Sequence, residues 1–451
     1  MFRTGEAGGF FGPSYPGSRV LGIIASRADD ASMAIATALE QRLPLEREGP
    51  DRAMMTGLEL VTIDGPHVEV IEPVRLFRGV PEAIIVCSRH RGVTGRVLTT
   101  HCVGNVGAAE LGGQPRSLGR APPQLHKRLL AALRTTAPPG YDVCSEATHH
   151  GPAPTSVPLL FVEIGSDAAA WTDPAAAAAV AAAVDAVRGT PADGPKQFIA
   201  IGDDHYPRLV DSLITGTDWA CGHQLPRWSF DALEEVPQLA VEAAIRSHAP
   251  YVLGLELPPA VAEALETADI RRVDTAFLRA TDGVTPAAMA AIESQLGPIG
   301  RAVHIGQATA EHPPPLMHHA DSAWIGRLAA QDSDGLHAAY APAVAVAPST
   351  GRALCVDRRA ATRVTAGLLR LSGRTLGPTW VDGSGVTVTV ERFDPDRAAA
   401  AGVPEGPLYG ALATGEPVTV DGRRIDPASV HQIEQSQYAP IRVDGGREGE
   451  Q

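Results

Sequence analysis

Short apolar runs alternate with helical stretches along roughly the first 280 residues of the chain. The runs Val20–Ser26, Ala83–Cys87 and Leu159–Ile164 do not alternate with polar residues, which is typical of strands buried on both faces of a parallel sheet. Asp173 and Pro174 begin a long alanine-rich helix, since a capping residue followed by proline is a common helix start. The pattern therefore predicts an α/β fold, with a mainly parallel sheet and flanking helices.

The same criteria predict further elements between these segments. Helices are expected from about Ser32 and over Leu125–Arg134. Additional strands are expected at Leu58–Ile63, His67–Ile71, Val143–Ala147, Phe198–Ile201 and Trp219–Gly222.

Beyond residue 280 the pattern changes. Residues 281–350 contain the run Pro313-Pro314-Pro315 and short Ala/Val stretches, which favours an irregular connection. Residues 351–445 are more β-rich, because Val386–Val390 alternates like a strand and Asp421-Gly422 is a typical two-residue hairpin turn. The sequence thus predicts a main domain over 19–280, the irregular connection over 281–350, and a smaller β-rich C-terminal extension over 351–445.

The charge of the chain limits its partners. The formal net charge is -14, and Lys127 and Lys196 are the only two lysines, so arginine supplies nearly all positive charge. Broad nonspecific binding to nucleic acid requires a basic surface, which this balance does not favour. A nucleic-acid partner would instead have to be bound through a local patch of arginine.

The N-terminal sequence and the cysteines indicate a cytoplasmic protein. The first residues lack a charged start followed by an apolar run, so no signal peptide is expected. No uncharged apolar stretch reaches the roughly 20 residues that a membrane helix needs. We therefore expect no membrane attachment. The five cysteines are odd in number and form no CxxC pair, so we expect no disulfide framework.

Polar residues follow the apolar strands in six clusters. Because ligands bind beyond the carboxyl ends of strands in open parallel sheets, we expect these clusters to form one site. Neutral imidazole and carboxylate are the usual ligands of catalytic zinc, which makes a metal site the leading interpretation. The candidate residues are His90, His101, Asn105, Glu146, Thr148, His149, His150, Glu163, His205 and His223.

Simpler interpretations exist for each cluster taken singly. One histidine at a strand end is usually a solvated or capping side chain, and Glu146 or Glu163 is equally compatible with a half-buried salt bridge. The adjacent pair His149-His150 cannot face the same side of a strand, so both can converge only from a loop. Other chemistries are less favoured, since the chain has no GxSxG elbow, no GxGxxG fingerprint and no P-loop.

Long ordered motifs identify a family resemblance. The chain reads SRH, LTTH and GN, then EATHHGP, FVEIGS, HYPR and GH, and in this order it resembles the archaeal-type D-aminoacyl-tRNA deacylases. The resemblance covers about residues 19–280, which it implies is the deacylase catalytic domain, with 351–445 as an accessory region. One departure is GDDHYPR, where the family usually has a Gly-rich stretch and HYAPR, so the register of Tyr206 and Arg208 is open.

The resemblance implies an activity and a cofactor. It implies hydrolysis of the ester that joins a D-amino acid to the acceptor end of tRNA, a zinc dependence with two Zn²⁺ ions per chain, and a fold similar to peptidyl-tRNA hydrolases. Two other functions stay open at this point: a non-catalytic tRNA-binding or tRNA-processing accessory protein, and a metal-dependent amidohydrolase acting on small molecules.

Residue roles follow from the same resemblance. The catalytic candidates are His101, Glu146, His149 and His150. The candidates for substrate binding are Arg89, Asn105, Thr148 and Arg208. The candidate metal ligands are His90, His101, His149, His150, Glu163, His205 and His223.

Overall fold

A computed structural model describes residues 20–92, 95–300, 303–305 and 316–444. The proline run at 313–315 and the N-terminal residues 1–19 lie outside the described residues. The chain divides into two compact units, of which the first ends at Asp282 and the second begins at Gly283.

The first unit is built from alternating strands and helices. Its elements are β1 Leu21–Ser26, α1 Asp30–Arg42, β2 Glu46–Arg47, β3 Arg52–Met55, β4 Leu58–Ile63, β5 Ala83–Arg89, β6 Val97–Cys102, β7 Gly104–Asn105, β8 Ser117–Leu118, α2 Pro123–Thr136, β9 Asp142–Ser145, β10 Leu159–Gly165, α3 Ala168–Trp171, α4 Pro174–Ala186, β11 Gln197–Asp203, α5 Arg208–Gly216, β12 Ala220–Pro226, α6 Phe230–Glu235, α7 Gln238–Arg246, β13 Tyr251–Gly254, α8 Pro259–Thr267, β14 Arg271–Val273 and α9 Thr275–Ala280.

The largest sheet has eight strands in the order β2-β3-β4-β1-β5-β10-β6-β9. Strand β1 pairs in parallel with β4 and β5, β5 with β10, and β6 with β9. Strand β6, however, runs antiparallel to β10, and β2 to β4 form an antiparallel edge. The prediction of an α/β fold with a mainly parallel sheet is confirmed.

A second sheet in this unit, β12-β11-β13-β14, is entirely parallel. Helix α2 joins the two sheets, since the buried ring of His126 lies 3.3 Å from the carbonyl oxygens of both Thr100 and Cys221. Helices α1, α2 and α4 cover one face of the large sheet with aliphatic side chains such as Ile35, Leu129 and Val180. The sheets are thereby held together at the end where the polar clusters lie.

The second unit is smaller and rich in short strands. Its elements are α10 Pro286–Leu296, β15 His304–Ile305, β16 Leu316–His319, α11 Ser322–Gln331, α12 Ser333–Tyr340, β17 Ala345–Ala347, β18 Arg352–Cys355, α13 Arg358–Thr375, β19 Thr379–Asp382, β20 Gly385–Phe393, α14 Pro395–Ala400, α15 Pro407–Ala413, β21 Val418–Val420, β22 Arg423–Ile425, β23 His431–Tyr438 and β24 Arg442–Asp444.

Two local predictions are wrong. The described part of 281–350 is not an irregular connection, because it forms α10 to α12 and contributes Trp324 and Leu328 to the core of the second unit. His67–Ile71 is not a strand but a single 3-10 turn at His67–Glu69, whose buried His67 ring reaches the hydroxyl of Ser88. The hairpin at Asp421-Gly422 is confirmed, with φ angles of 48° and 78° that match the turn type predicted for this pair.

Candidate active site

The antiparallel pairing of β6 and β10 places the first two site residues. Phe161 lies opposite His101, and Glu163 lies opposite Thr99. Since side chains alternate along a strand, His101, Phe161 and Glu163 project from the same face of the sheet. His101 Nε2 lies 3.5 Å from Glu163 Oε1. The site therefore begins on the sheet face and does not lie only beyond the carboxyl ends of parallel strands, as the sequence suggested.

The strands on either side of the β10–β6 pair, β5 and β9, add the next residues at their carboxyl ends. His90 follows β5, and its Nδ1 lies 3.2 Å from Glu146 Oε1 and 3.3 Å from Glu163 Oε2. Glu146 follows β9 and is 1% exposed. Trp171 donates its indole N–H to the carbonyl of His90, which fixes the backbone there. One imidazole is thus held between two buried carboxylates.

The loop after β9 brings both adjacent histidines into the site. Ala147 N donates to the carbonyl of His205, which follows β11, and Thr148 N donates to the carbonyl of Gln224 in β12. The loop is therefore bound to two segments of the second sheet. His150 then has a φ of 41°, in the left-handed region, which reverses the chain. As a result the rings of His149 and His150 lie 4.4 Å apart, and His149 lies 4.1 Å from the ring of His101. Convergence from a loop is therefore what the structure shows.

The segment after β11 completes the cluster. His205 Nε2 lies 3.0 Å from Glu146 Oε2, and the hydroxyl of Tyr206 lies 3.1 Å from His90 Nε2. His205 is the more accessible histidine of the group, with a side chain 34% exposed. The structure thus brings together all of the predicted ligands except His223, from five separate segments of the first unit.

The hydrogen bonds of three rings determine which nitrogen is available. Nδ1 of His101 lies 3.0 Å from the carbonyl of Cys102, Nδ1 of His149 lies 2.8 Å from that of Ala147, and Nδ1 of His150 lies 2.7 Å from that of Gly151. A carbonyl only accepts, so each neutral ring carries its proton on Nδ1. The lone pair on each Nε2 then points into the cluster, in the tautomer that metal-binding histidines adopt.

Burial and neighbouring charge shift the pKa values within the cluster. Burial would lower the pKa of His90, but its contacts with Glu146 and Glu163 outweigh burial and raise that pKa to about 10. Burial opposes ionisation of Glu146, yet His205 and His90 hold its pKa well below the usual range. Burial and the neighbouring ring of His101 lower the pKa of His149, so this imidazole stays neutral. The carboxylates are therefore charged while His149 keeps its lone pair.

Several groups of side chains are suited to a metal ion. Within each of three groups, the potential ligand atoms lie within 4.8 Å of one another; the groups are His101 with His149 and His150, Glu146 with His149 and His205, and His90 with Glu146 and Glu163. Two buried atoms of the set, His101 Nε2 and Glu146 Oε1, have no hydrogen-bond partner in the described structure. Buried polar atoms are rarely left unsatisfied, so the donor set fits a bound cation.

A cavity of about 410 Å³ opens onto this cluster. Its volume is in the range of small-molecule sites. Arg89 and Arg91 lie at its border, and both guanidinium groups lie within 6.0 Å of the centre of the Trp171 ring. Leu111, from the loop between β7 and β8, is part of the wall. The floor of the cavity thus carries carboxylate and imidazole groups, and its border carries two arginines.

Four predicted site residues lie elsewhere. His223 is not a metal ligand in this arrangement, because Nδ1 is hydrogen-bonded to Thr148 Oγ1 at 3.0 Å and Nε2 donates to the carbonyl of Gly119 at 2.9 Å. Thr148 also accepts from Gln224 N, so its hydroxyl is buried in the same structural network. Asn105 donates to the carbonyls of Gly112 and Gln114 in the loop between β7 and β8, and Arg208 is an exposed residue at the start of α5. None of the four is part of the cavity wall described above.

The cavity wall also contains residues that were not predicted as site residues, among them Asp29, His67 and Ser88. Asp29 caps α1 and accepts from the backbone N–H of Arg89. Ser88 Oγ donates its proton to the carbonyl of Arg89. In the 3.0 Å contact between Ser88 Oγ and His67 Nε2, the histidine N–H is therefore the donor. His67 Nδ1 is then a buried acceptor without a hydrogen-bond partner in the described structure. Only tertiary contact brings these residues to the site, although Ser88 precedes His90 by two positions.

Sequence comparisons relate this chain to one family of known proteins. A family model described as D-aminoacyl-tRNA deacylase matches residues 77–256, which include every histidine and glutamate of the cluster. The D-aminoacyl-tRNA deacylase of Halobacterium salinarum is 35% identical over 442 residues, covering 92% of this chain and 94% of that protein. This chain belongs to the D-aminoacyl-tRNA deacylase family. The resemblance seen in the motifs, and the prediction of an enzyme of this class, are confirmed.

Other members of the family match over a similar length. The D-aminoacyl-tRNA deacylase of Haloquadratum walsbyi is 31% identical, covering 92% of this chain and 95% of that protein. That of Methanocorpusculum labreanum is 30% identical, covering 92% of this chain and 97% of that protein. A crystal structure of a conserved protein of unknown function superposes with a TM-score of 0.52 at 28% identity, covering 57% of this chain and 95% of the other. The similarity to the deacylases thus includes both units.

No helix in the described part of the chain is long and apolar enough to cross a membrane.

Proposed function

We propose that the chain hydrolyses the ester bond of D-aminoacyl-tRNA, releasing the D-amino acid and free tRNA. The observation that carries this proposal is the cluster at the floor of the cavity, where His149, His150 and two buried carboxylates line the wall and His101 lies directly behind them. Family membership supports the substrate class, and the acceptor end of tRNA supplies the phosphates suited to Arg89 and Arg91 at the border.

We propose that the cluster holds zinc, with two ions per chain. His101, His149 and His150 would hold one ion, and His90, Glu146 and Glu163 would hold the second, with His90 bound in its deprotonated form. Zinc at such a site polarises a carbonyl and lowers the pKa of bound water to about 7. Imidazole and carboxylate are ligands that zinc prefers, and the buried atoms His101 Nε2 and Glu146 Oε1 face charged neighbours without forming a hydrogen bond.

Side chains of this chain would carry the proton transfers. Water attacks the ester carbonyl carbon, the bond to the ribose oxygen breaks, and that oxygen must receive a proton. Glu146, which is ionised before the reaction, accepts a proton from the attacking water. His205, hydrogen-bonded to Glu146 and the more accessible ring, passes a proton to the leaving ribose oxygen. Hydrolysis then yields the amino acid carboxylate, and the second proton is released.

The newly found residues of the cavity wall would position the amino acid. The α-ammonium group of the substrate needs acceptors, and Asp29 with His67 Nδ1 provides them on one wall. This arrangement assigns to Asp29 and His67 a part of the substrate binding that the sequence analysis predicted for Asn105 and Thr148. A chiral preference would follow if the ammonium and the ester are fixed at once, because only one enantiomer then directs its side chain into free space.

The proposed activity also assigns roles to the two units. The first unit would be the catalytic domain and the β-rich part of the second unit an accessory region. The fold of the first unit would be similar to peptidyl-tRNA hydrolases, which a structural superposition can test. The enzyme would act in the cytoplasm, where charged tRNA is found.

One experiment tests the function directly. Purified protein should deacylate D-Tyr-tRNA much faster than L-Tyr-tRNA, and exhaustive chelation should abolish activity that added zinc restores. Equal rates on the two enantiomers would contradict chiral proofreading. Full activity without detectable zinc would remove the metal from the proposal, and binding of tRNA without turnover would favour an accessory protein. Turnover of small D-amino acid amides alone would favour an amidohydrolase.

A further inference from the structure

The longest helix of the second unit carries an unusual set of arginines. Helix α13 contains five arginines, and no aspartate or glutamate occurs from residue 358 to residue 381. In a chain of net charge -14 this is a local reversal of sign. All five side chains are exposed; they are Arg358, Arg359, Arg363, Arg370 and Arg374.

Four of these arginines share one face of the helix. Arg359, Arg363, Arg370 and Arg374 are separated by four, seven and four positions, which at 3.6 residues per turn places them along a single line. The opposite face, with Val364, Leu368 and Leu371, is buried in the core of the second unit. The arginine face of α13, defined by those four residues, extends over roughly 22 Å at 1.5 Å per residue.

Local electrostatics favours Arg374, which lies in the last turn of the helix, but it does not explain the rest of this array. Arg358 and Arg359 lie in the first turn, where the helix dipole disfavours positive charge. Arg359 with Arg363, and Arg370 with Arg374, are like-charge pairs at i,i+4, which destabilise a helix. A face that opposes the stability of its own helix indicates an external partner.

Within the described residues, the five arginines of α13 form no ion pair. Other exposed arginines of the same unit do: Arg392, Arg397 and Arg424 each lie within 3.3 Å of a carboxylate oxygen. The guanidinium groups of the arginine face are therefore free to bind an external anion. Planar guanidinium groups in a row match the repeated phosphates of a nucleic-acid backbone better than a single small anion.

We propose that the arginine face of α13 binds the phosphate backbone of tRNA. The inference rests on the proposed function, which makes tRNA the substrate of the first unit. It assigns to the second unit a role in binding the tRNA body, separate from chemistry on the ester. An acidic protein surface repels the phosphates of nucleic acid. A patch of arginines therefore favours binding of the RNA at α13.

Binding of deacylated tRNA tests the proposal without requiring catalysis. The double variant Arg363→Gln/Arg370→Gln should raise the Kd, measured by fluorescence anisotropy, about tenfold at low salt. It should also reduce the slope of log Kd against log salt by about one for each phosphate that the variant no longer binds. A matched control, Arg392→Gln/Arg424→Gln, removes the same charge from exposed, ion-paired arginines of the same unit and should bind tRNA like the original chain. Thermal unfolding should show that both variants are folded.

Kinetics separates this inference from the proposed function. With D-Tyr-tRNA the Arg363→Gln/Arg370→Gln variant should show a raised KM and an unchanged kcat. With 3′-D-tyrosyl-adenosine, which has the ester but no phosphate backbone, it should match the original chain. Failure of the original chain on both esters would refute the proposed function. Two results would overturn the arginine-face proposal. One is a variant whose tRNA affinity and salt slope are unchanged. The other is a variant that loses affinity for phosphatidylglycerol vesicles but not for tRNA.

Discussion

His205 Nε2 lies 3.0 Å from Oε2 of Glu146, although 59 positions separate the two residues in the chain. The hydrogen bond joins the loop after β9 in the large sheet to the segment after β11 in the second sheet. Glu146 is fully buried and also faces His90, so it is the residue that connects the two sides of the cluster. A change at Glu146 should therefore disturb both sides at once.

Replacing Glu146 with Gln should lower the rate of deacylation by about 10²-fold or more, because the neutral amide removes both the proton acceptor and a metal ligand. Single-turnover deacylation of D-Tyr-tRNA and zinc content by elemental analysis measure the effect. Glu235→Gln is the matched control, since Glu235 is exposed and pairs with Arg116. A Glu146→Gln enzyme with normal rate and normal zinc would show that Glu146 has no catalytic role.

The His149→Ala and His150→Ala variants should each lose about 10²-fold in rate, together with bound zinc. His248→Ala provides the comparison, because His248 is half-exposed and pairs with Asp193 away from the cluster. Circular dichroism should confirm that all three variants fold. Should both variants keep near-normal rates and zinc, the catalytic centre would have to be sought around His90, His101 and His205.

Gly165→Ala should displace His90 and lower the rate by about 10²-fold, as misplacement of a site residue by 1 Å can do. A Cβ atom at Gly165 would lie 2.6 Å from the Cβ of His90. Gly79→Ala is a suitable control, since a Cβ atom there meets nothing within 4 Å. A normal rate for Gly165→Ala, measured on folded protein, would mean that the position of His90 does not matter for catalysis.

A chain that ends at residue 285 should still deacylate D-Tyr-tRNA, because the first unit ends at Asp282 and contains the whole cluster. Its KM should rise if the arginine face of α13 binds tRNA, while kcat should change little. The comparison requires a folded product, checked by thermal unfolding. Complete loss of turnover in a folded product would mean that the second unit completes the active site.

Protonation of His223 should make the protein less stable in acid. Burial lowers the pKa of His223 to about 4, below the ordinary value of 6.5, so the unfolded chain binds this proton more readily. The free energy of unfolding is therefore unaffected by His223 above pH 6.5. Between pH 6.5 and 4 the protonation of His223 lowers it by up to about 3 kcal/mol. Denaturant unfolding across this pH range should show a shallower pH dependence in His223→Gln than in the original chain. Identical slopes would assign the acid sensitivity to other groups.

The second unit shows where sequence patterns were sufficient and where they were not. The turn at Asp421-Gly422 was predictable because it depends on two adjacent residues that tolerate positive φ. The irregular connection over 281–350 was mispredicted because proline and short Ala/Val stretches hide helices whose stability comes from packing, with Trp324 and Leu328 in a shared core.

Local patterns in the first unit determined which residue types are present and where strands and helices form. Apolar runs dictate buried strands, and the motifs EATHHGP and FVEIGS identified the family, because both kinds of information are contained in neighbouring residues. They also placed His90, His149 and Glu163 among the candidates. An apolar run is buried whichever segments pack against it, so the positions of the buried strands could be predicted from the sequence.

Tertiary structure alone decided which of these side chains share the site. Whether His223 faces a metal or a carbonyl, and whether His67 lies in a strand or in the cavity wall, depends on hydrogen bonds to residues more than 20 positions away. The sequence also could not show that β6 runs antiparallel to β10, which places His101 opposite Phe161 and beside Glu163. Strand direction and loop conformation are set by the packing of the whole unit, and a pattern of neighbouring residues contains no measure of that packing.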